Sequence, residues 1–397
     1  MKLLQLNATA NWGSTGKIAE GIGAAAMRRG WQSFVAYGRY MNPSQSGLIK
    51  VGNKFDVYAH YARNRFLDGE GLGSKHATEK LIKQIEEIRP DIIQLHNIHD
   101  HWLNYPILFD YLATIATPIV WTLHDCWPFT GGCYHFVQNE CNSWKSSCES
   151  CSYRNCLVDK TKRNFSTKRK LFLSLGKRLT VVSVSQWLDS LAAQSYFSAI
   201  DHRYIHNGID IDTFSPTQTE YVKSLGLDDK TVLLGVSSVW PASKGLTDYI
   251  ELRKLLPDNF VIVLVGLPKN SIASLPEGVV GIERTNNVKE LAALYSRANA
   301  VLSLSQAETF GLTLAEGLSC GTPSIAYEAT GVKEILSPQT GIGVPLHDIS
   351  KLHDAVIYMS DHASAFPAAA CRERAVRCFN QETQFNKYID LYEELLR

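Results

Sequence analysis

No run in this sequence is apolar enough to cross a lipid bilayer. The longest, Phe260 to Leu267, falls well short of the roughly 20 residues that a spanning helix needs. A basic start followed by an apolar h-region is also missing, and Met1 to Asn7 reads instead as a first strand. These two absences give a cytoplasmic location, at most on the inner face of the membrane, as the expectation. Net charge is scarce as well: 40 Lys and Arg against 39 Asp and Glu leave +1 at pH 7 with histidine neutral. No global field therefore draws the chain to nucleic acid. Low-complexity tracts and short repeats are absent, and 45% apolar with 20% charged residues is the composition of an ordinary folded protein. A length of 397 residues suits two domains better than one core.

Two chemical signatures are near misses. Asn11-Trp12-Gly13-Ser14-Thr15-Gly16-Lys17 has the spacing of a P-loop, but Asn11 stands where the first glycine belongs and Ile18 where the hydroxyl belongs, which excludes an ATPase. Asp210-Ile211-Asp212 has the letters of a metal-nucleotide D-x-D motif. The turn Asn207-Gly208, rather than an apolar strand, precedes it, so no catalytic metal is expected.

What is present centres on Ser305 to Tyr327. A buried-strand pattern, Ala300 to Leu304, leads into it, and another short apolar run follows Gly321-Thr322-Pro323: strand, loop, short helix, next strand of a parallel sheet. Glu308 and Glu316 lie eight apart. On one helix they would stand about 80° apart and two turns apart in height, so a loop must intervene. Glu308 is placed at the strand's exit and Phe310-Gly311-Leu312 at a turn whose N–H groups open the helix carrying Glu316. Unpaired N–H donors at a helix start attract phosphate, whereas flanking carboxylates would repel it and suit sugar and ribose hydroxyls.

The run from Glu308-Thr309-Phe310-Gly311-Leu312 through Glu316 to Gly321-Thr322-Pro323 resembles the donor-site signature of the retaining family-4 glycosyltransferases. That resemblance implies an α/β chain of GT-B fold, with two doubly wound Rossmann-like domains facing across a cleft. The expected domains are an acceptor-side domain at 1–206, onto which the C-terminal helix at 376–397 packs back, and a nucleotide-sugar donor domain at 207–375. Strand-like runs at Asp91–Leu95, Ile119–Leu123 and Leu179–Val184, separated by helical patterns, agree with parallel sheets covered on both faces. Ligands bind such sheets beyond the carboxyl ends of the strands.

The resemblance also distributes roles. Gly16 lies in a glycine-rich loop expected to close over the donor diphosphate, ahead of a helix from Ile18 to Arg29. His124, after one strand, matches the imidazole that meets the donor sugar. His96 with Asn97, after the neighbouring strand, is assigned to the acceptor side along with His99 and Asp100. Lys244 matches the diphosphate lysine, but the arginine usually found five or six residues before it is replaced by Val239 and Ser238. Glu308 would take sugar hydroxyls and Glu316 the ribose. Asn287 stands in the loop whose main chain reads the base. The expected activity is retaining transfer of a sugar from a UDP- or GDP-sugar to a glycan or lipid-linked acceptor hydroxyl in polysaccharide assembly. Alternatives are a nucleotide-sugar epimerase of the same fold, or a catalytically silent partner protein.

Two segments stand outside this pattern. Cys126, Cys133, Cys141, Cys148, Cys151 and Cys156 fall within 31 residues, and disulfides are not expected in a reducing compartment. Cys148-x2-Cys151 is a chelating pair that Cys133 and Cys141 could complete to a closed structural zinc site. From Arg154 to Arg178 nine Lys or Arg accompany one acid, Asp159. Phe165, Leu171, Phe172, Leu173 and Leu175 are interleaved with them, giving a basic amphipathic stretch at 154–178 suited to a membrane surface or a phosphate-bearing acceptor.

Overall fold

The alternation of strand and helix patterns forms two parallel sheets in the computed structural model, which describes residues 1–136, 141–151 and 156–397. Seven strands belong to the first half: β1 (Lys2–Leu6), β2 (Gln32–Tyr37), β3 (Gly47–Lys50), β4 (Ile92–Leu95), β5 (Ile119–Leu123), β6 (Leu179–Ser183) and β7 (Asp201–Tyr204). Their order across the sheet is β3-β2-β1-β4-β5-β6-β7. Six belong to the second half: β8 (Thr231–Val236), β9 (Phe260–Val265), β10 (Val279–Ile282), β11 (Ala300–Ser303), β12 (Ser324–Tyr327) and β13 (Gly341–Val344), in the order β10-β9-β8-β11-β12-β13. Strands β4, β5, β6, β9, β11 and β12 are buried along their whole length, as helices on both faces require.

Each sheet reverses its winding once, between β1 and β4 in one and between β8 and β11 in the other. An open parallel sheet binds ligands at that reversal, beyond the carboxyl ends of the two strands. The relevant loops are therefore those after β1 and β4, and those after β8 and β11.

The chain divides into two compact units, Met1–His206 with Glu382–Arg397, and Asn207–Gln381. The second division falls six residues beyond the expected 375. The helix Ala368–Phe379 belongs to the second unit because the Arg372 guanidinium donates to the carbonyls of Phe214 at 2.8 Å and Ser319 at 2.9 Å. The last helix, Gln381–Leu395, buries Phe385, Tyr388, Ile389, Leu391 and Tyr392 against Leu3, Ile92, Val120 and Val182 of the first sheet and Ile18 and Ile22 of the first helix. A Cβ at Gly21 of that first helix would lie 2.1 Å from the Phe385 ring, so the two helices approach as closely as they do only because Gly21 has no side chain.

The first helix runs Gly13–Arg28, starting before the expected Ile18. Thr9 Oγ1 donates to the Trp12 carbonyl at 2.7 Å and holds the preceding turn. Gly16 thus sits in the helix's first turn rather than in a loop, and a Cβ there would be 2.8 Å from Thr9 Oγ1.

The basic stretch is not amphipathic in the expected sense. In the helix Thr161–Leu173, Phe165 and Phe172 are buried, as is Leu175 beyond it. Lys168 is buried with them. Its ammonium lies 3.4 Å from the Trp127 ring centroid and donates to the carbonyls of Trp127 at 2.8 Å and Thr130 at 3.3 Å. The apolar side of this segment is spent on the core, leaving Lys162, Arg163, Arg169 and Lys170 exposed. Arg154 lies outside the described residues.

Candidate active site

In the second unit the loops after β8 and β11 meet. Lys244 closes a short 3-10 turn, Ala242–Lys244, and Gly245 follows at φ 74°. A Cβ at Gly245 would stand 2.3 Å from the Leu304 carbonyl oxygen. Glycine here serves both the left-handed turn and the close approach of the two loops. Gln306 N donates to the Ser243 carbonyl at 2.9 Å and fixes that approach. Its result is an ion pair between Lys244 Nζ and Glu308 Oε1, with each side chain about a quarter exposed: 29% and 25%. Sequence assigned the two residues separate tasks; the structure brings ammonium and carboxylate together at the sheet's reversal.

Glu308 is held by its own main chain. Its N–H donates to Thr330 Oγ1 at 2.9 Å, and its carbonyl accepts from Gly331 N at 3.0 Å. Three residues on, Gly311 at φ 107° starts the helix Leu312–Ser319, whose first N–H groups have no intrahelical acceptor. The Phe310 side chain is buried against Phe379, ring centroids 5.5 Å apart, so Phe310 can meet a ligand only through its main chain. Glu316 accepts from Tyr295 OH at 2.8 Å. Burial, compounded by the neighbouring Glu316 charge, pushes the Tyr295 phenol well above its ordinary pKa, so it remains a proton donor to that carboxylate. Asn287 caps the helix Val288–Arg297, its Oδ1 accepting from Glu290 N at 3.0 Å, which commits its side chain to the fold.

In the first unit the exits of β1, β4 and β5 lie side by side. Asn7 ties the loop after β1 to the one after β4: its Oδ1 accepts from Asn97 N at 3.2 Å, and its Nδ2 donates to the Thr9 carbonyl at 2.8 Å. His124 is partly exposed. His96 does not face outward as the acceptor-side assignment requires. It is 2% exposed, with Nδ1 3.0 Å from His124 Nε2 and Nε2 3.0 Å from Gln5 Oε1. Both its nitrogens are occupied within the protein. Burial holds His124 down to about 4 and His96 well below its usual value, so both are neutral near pH 7. Beside them His99 Nε2 donates to Asp125 Oδ2 at 2.9 Å. Burial disfavours the charged imidazole, but the Asp125 charge outweighs it and the His99 pKa is raised.

All nine cysteines are free thiols. Cys133 Sγ and Cys151 Sγ are 3.4 Å apart, and Cys148 Sγ accepts from Gly131 N at 3.3 Å. Among the described residues no group of three His, Cys, Asp or Glu is arranged to hold a metal ion.

Sequence reading missed Gln5 and Thr330. Gln5 carried a signal, a lone polar residue inside Leu3-Leu4-Gln5-Leu6; Thr330, more than twenty residues from Glu308, carried none.

Comparison with known proteins fits this arrangement. Residues 17–213 match the family model described as Glycosyltransferase Family 4, and residues 230–362 that of Glycosyl transferases group 1. The chain is 24% identical to WcaC of Escherichia coli (strain K12), a candidate colanic acid biosynthesis glycosyl transferase, over 100% of both chains. Among solved structures it superposes on sucrose-phosphate synthase of Thermosynechococcus elongatus with a TM-score of 0.74 at 16% identity, covering 99% of this chain and 98% of that one. It superposes on Anabaena HepE in complex with UDP-glucose with a TM-score of 0.66 at 15% identity, covering 99% and 100%. With one family model on each half, a full-length relative and both parallel sheets in place, the chain belongs to the family-4 glycosyltransferases of GT-B fold.

Proposed function

We propose that this glycosyltransferase moves a sugar, with retention, from a UDP- or GDP-sugar to a lipid-linked glycan acceptor in surface polysaccharide assembly. The observation that carries the reading is the Lys244–Glu308 pair at the β8/β11 reversal, beside the helix start at Gly311. Lys244 and the main-chain N–H groups of Gly311 and Leu312 hold the diphosphate as negative charge builds on it, the electrostatic contribution that usually dominates such chemistry. Glu308 takes sugar hydroxyls, Glu316 the ribose, and His124 orients the sugar. No enzymatic nucleophile is called for if the leaving phosphate accepts the proton of the incoming hydroxyl on the same face. Complexes of HepE with UDP and with UDP-glucose support a nucleotide-sugar donor. A thermal-shift screen over nucleoside diphosphates and their sugars tests it, because a ligand bound only by the folded chain must raise its melting temperature. The expected result is a shift for one base class, larger with the sugar attached; no shift from any of them overturns the reading.

A lipid-linked acceptor puts the enzyme at a membrane surface, and we propose that the contact runs through the helix Lys54–Leu67 rather than through 154–178. Phe55 is 78% exposed, Tyr58 70% and Phe66 54%, with Lys54 and Arg63 also at the surface. Exposed aromatics flanked by cations suit the headgroup boundary of anionic lipid. The acid in the helix's first turn, Asp56, is occupied in a capping box with Asn53. Cosedimentation with phosphatidylglycerol vesicles is expected to fall about tenfold on Phe55→Ser, Tyr58→Ser and Phe66→Ser together. Undiminished binding of that triple variant rules this contact out.

A further inference from the structure

The hydrogen bonds running through the buried ends of β1, β4 and β5 have a direction that the atoms themselves dictate. Gln5 Nε2 is 2.8 Å from the carbonyl oxygen of Ala19. A carbonyl only accepts, so the Gln5 amide is oriented with its NH2 toward Ala19 and its Oε1 toward His96. Oε1 in turn only accepts, so His96 must carry its proton on Nε2, 3.0 Å away. A neutral imidazole has one N–H. His96 is neutral because it is enclosed, 2% exposed, with no acid among its partners, which leaves its Nδ1 a bare lone pair. That lone pair is 3.0 Å from His124 Nε2, which must then be the N–H donor of the pair. His124 is thereby left with an unprotonated Nδ1, which has no hydrogen-bond partner among the described residues, on a side chain that is partly exposed.

We propose that Gln5 and His96 are positioning residues that select the tautomer of His124, so that the atom it offers to substrate is an acceptor. This rests on the placement of His124 at the donor sugar. The consequence is a specificity rule. An unprotonated Nδ1 accepts from a sugar hydroxyl and repels a carboxylate, so the sugar carries a hydroxyl, not a uronate carboxyl, at the position His124 reads. The three residues sit at the ends of adjacent strands paired in register, Gln5 opposite Gln94 and Leu95 opposite Trp121. The sheet itself thus sets their spacing. The His96 and His124 ring planes lie within 20° of parallel, with centroids 5.3 Å apart, so the bond between their facing nitrogens runs edge to edge, close to the plane of both rings.

The test is nitrogen NMR of the full-length chain labelled with 15N in its histidine rings, at pH 7 and without substrate. Both His96 and His124 are expected to show a protonated Nε2 and an unprotonated Nδ1. In Gln5→Leu, His96 loses the acceptor that fixes it, and the Nδ1 and Nε2 resonances of His124 move toward the averaged position of mixed tautomers. A wild-type His124 protonated on Nδ1 overturns the proposal, and so does a folded Gln5→Leu variant whose His124 resonances are unchanged. The wild-type spectrum decides the tautomer even where the variant does not fold. Because no donor is present, the outcome is independent of whether the transferase reading itself stands.

Discussion

Lys244→Ala and Glu308→Ala are each expected to lower kcat/KM about 10²–10³-fold, the size of effect seen when one charge-stabilising group is removed from a preorganised site. The double variant is expected to fall far short of the product of the two losses. The reason is their ion pair: removing either residue unmoors the other, so the second removal takes away an interaction already lost. In Lys244→Ala the carboxylate of Glu308 loses its cation at the place where the diphosphate develops charge, and changes from a sugar ligand into a source of repulsion. A cycle of the four proteins, measured as kcat/KM with donor and acceptor saturating in turn, checks this. Strict additivity would mean that the two side chains act on separate parts of the substrate. Melting temperatures should move little, because each side chain is about a quarter exposed and partly exposed pairs contribute little to stability.

Ending the chain after Asn380 is expected to leave the first unit unfolded. The segment removed contributes Phe385, Tyr388, Ile389, Leu391 and Tyr392 to the core under β1, β4, β5 and β6. At about 1.5–3 kcal/mol for each buried side chain, the loss is of the order of 7–15 kcal/mol as an upper bound, comparable with the whole stability of a domain. Polar links go with it: the Tyr392 hydroxyl donates to Gln94 Oε1, and Arg203 pairs with Glu394. Limited proteolysis and circular dichroism of the truncated chain check this. The expected result is rapid loss of residues 1–206 while 207–380 resists; an N-terminal half that stays protected would show that the helix is an accessory.

How legible these features were in the sequence depended on how local they are. The strand Ile119–Leu123 was read to the residue because its run, apolar but for Thr122, is rich in β-branched and aromatic side chains. The helix start at Gly311 followed from the spacing of Glu308 and Glu316, a local argument. Gly16 was misplaced because Gly13-Ser14-Thr15 before it read as a loop, whereas Thr9 fixes the turn earlier and the helix starts at Gly13. His96 was turned the wrong way because its partner Gln5 is 91 residues distant, and nothing in the local pattern of either announces the other. Lys168 was read with its neighbours as a surface charge. That its ammonium lies under Trp127 depends on where the loop after β5 returns. Where two distant segments must meet to define a role, the side chain's type was visible and its orientation was not.

The closing helix has a consequence for the order in which this molecule comes into being. Its first sheet is translated by Tyr204, yet the side chains that seal it, from Phe385 onward, follow only after the whole second unit has been made. Domains generally fold as units, the N-terminal one first, during synthesis. Here Asn207–Gln381 has all its own residues before Glu382–Arg397 emerges, so the second unit is complete while the first still waits, and the nascent first unit keeps its apolar floor uncovered for as long as the second takes to be made.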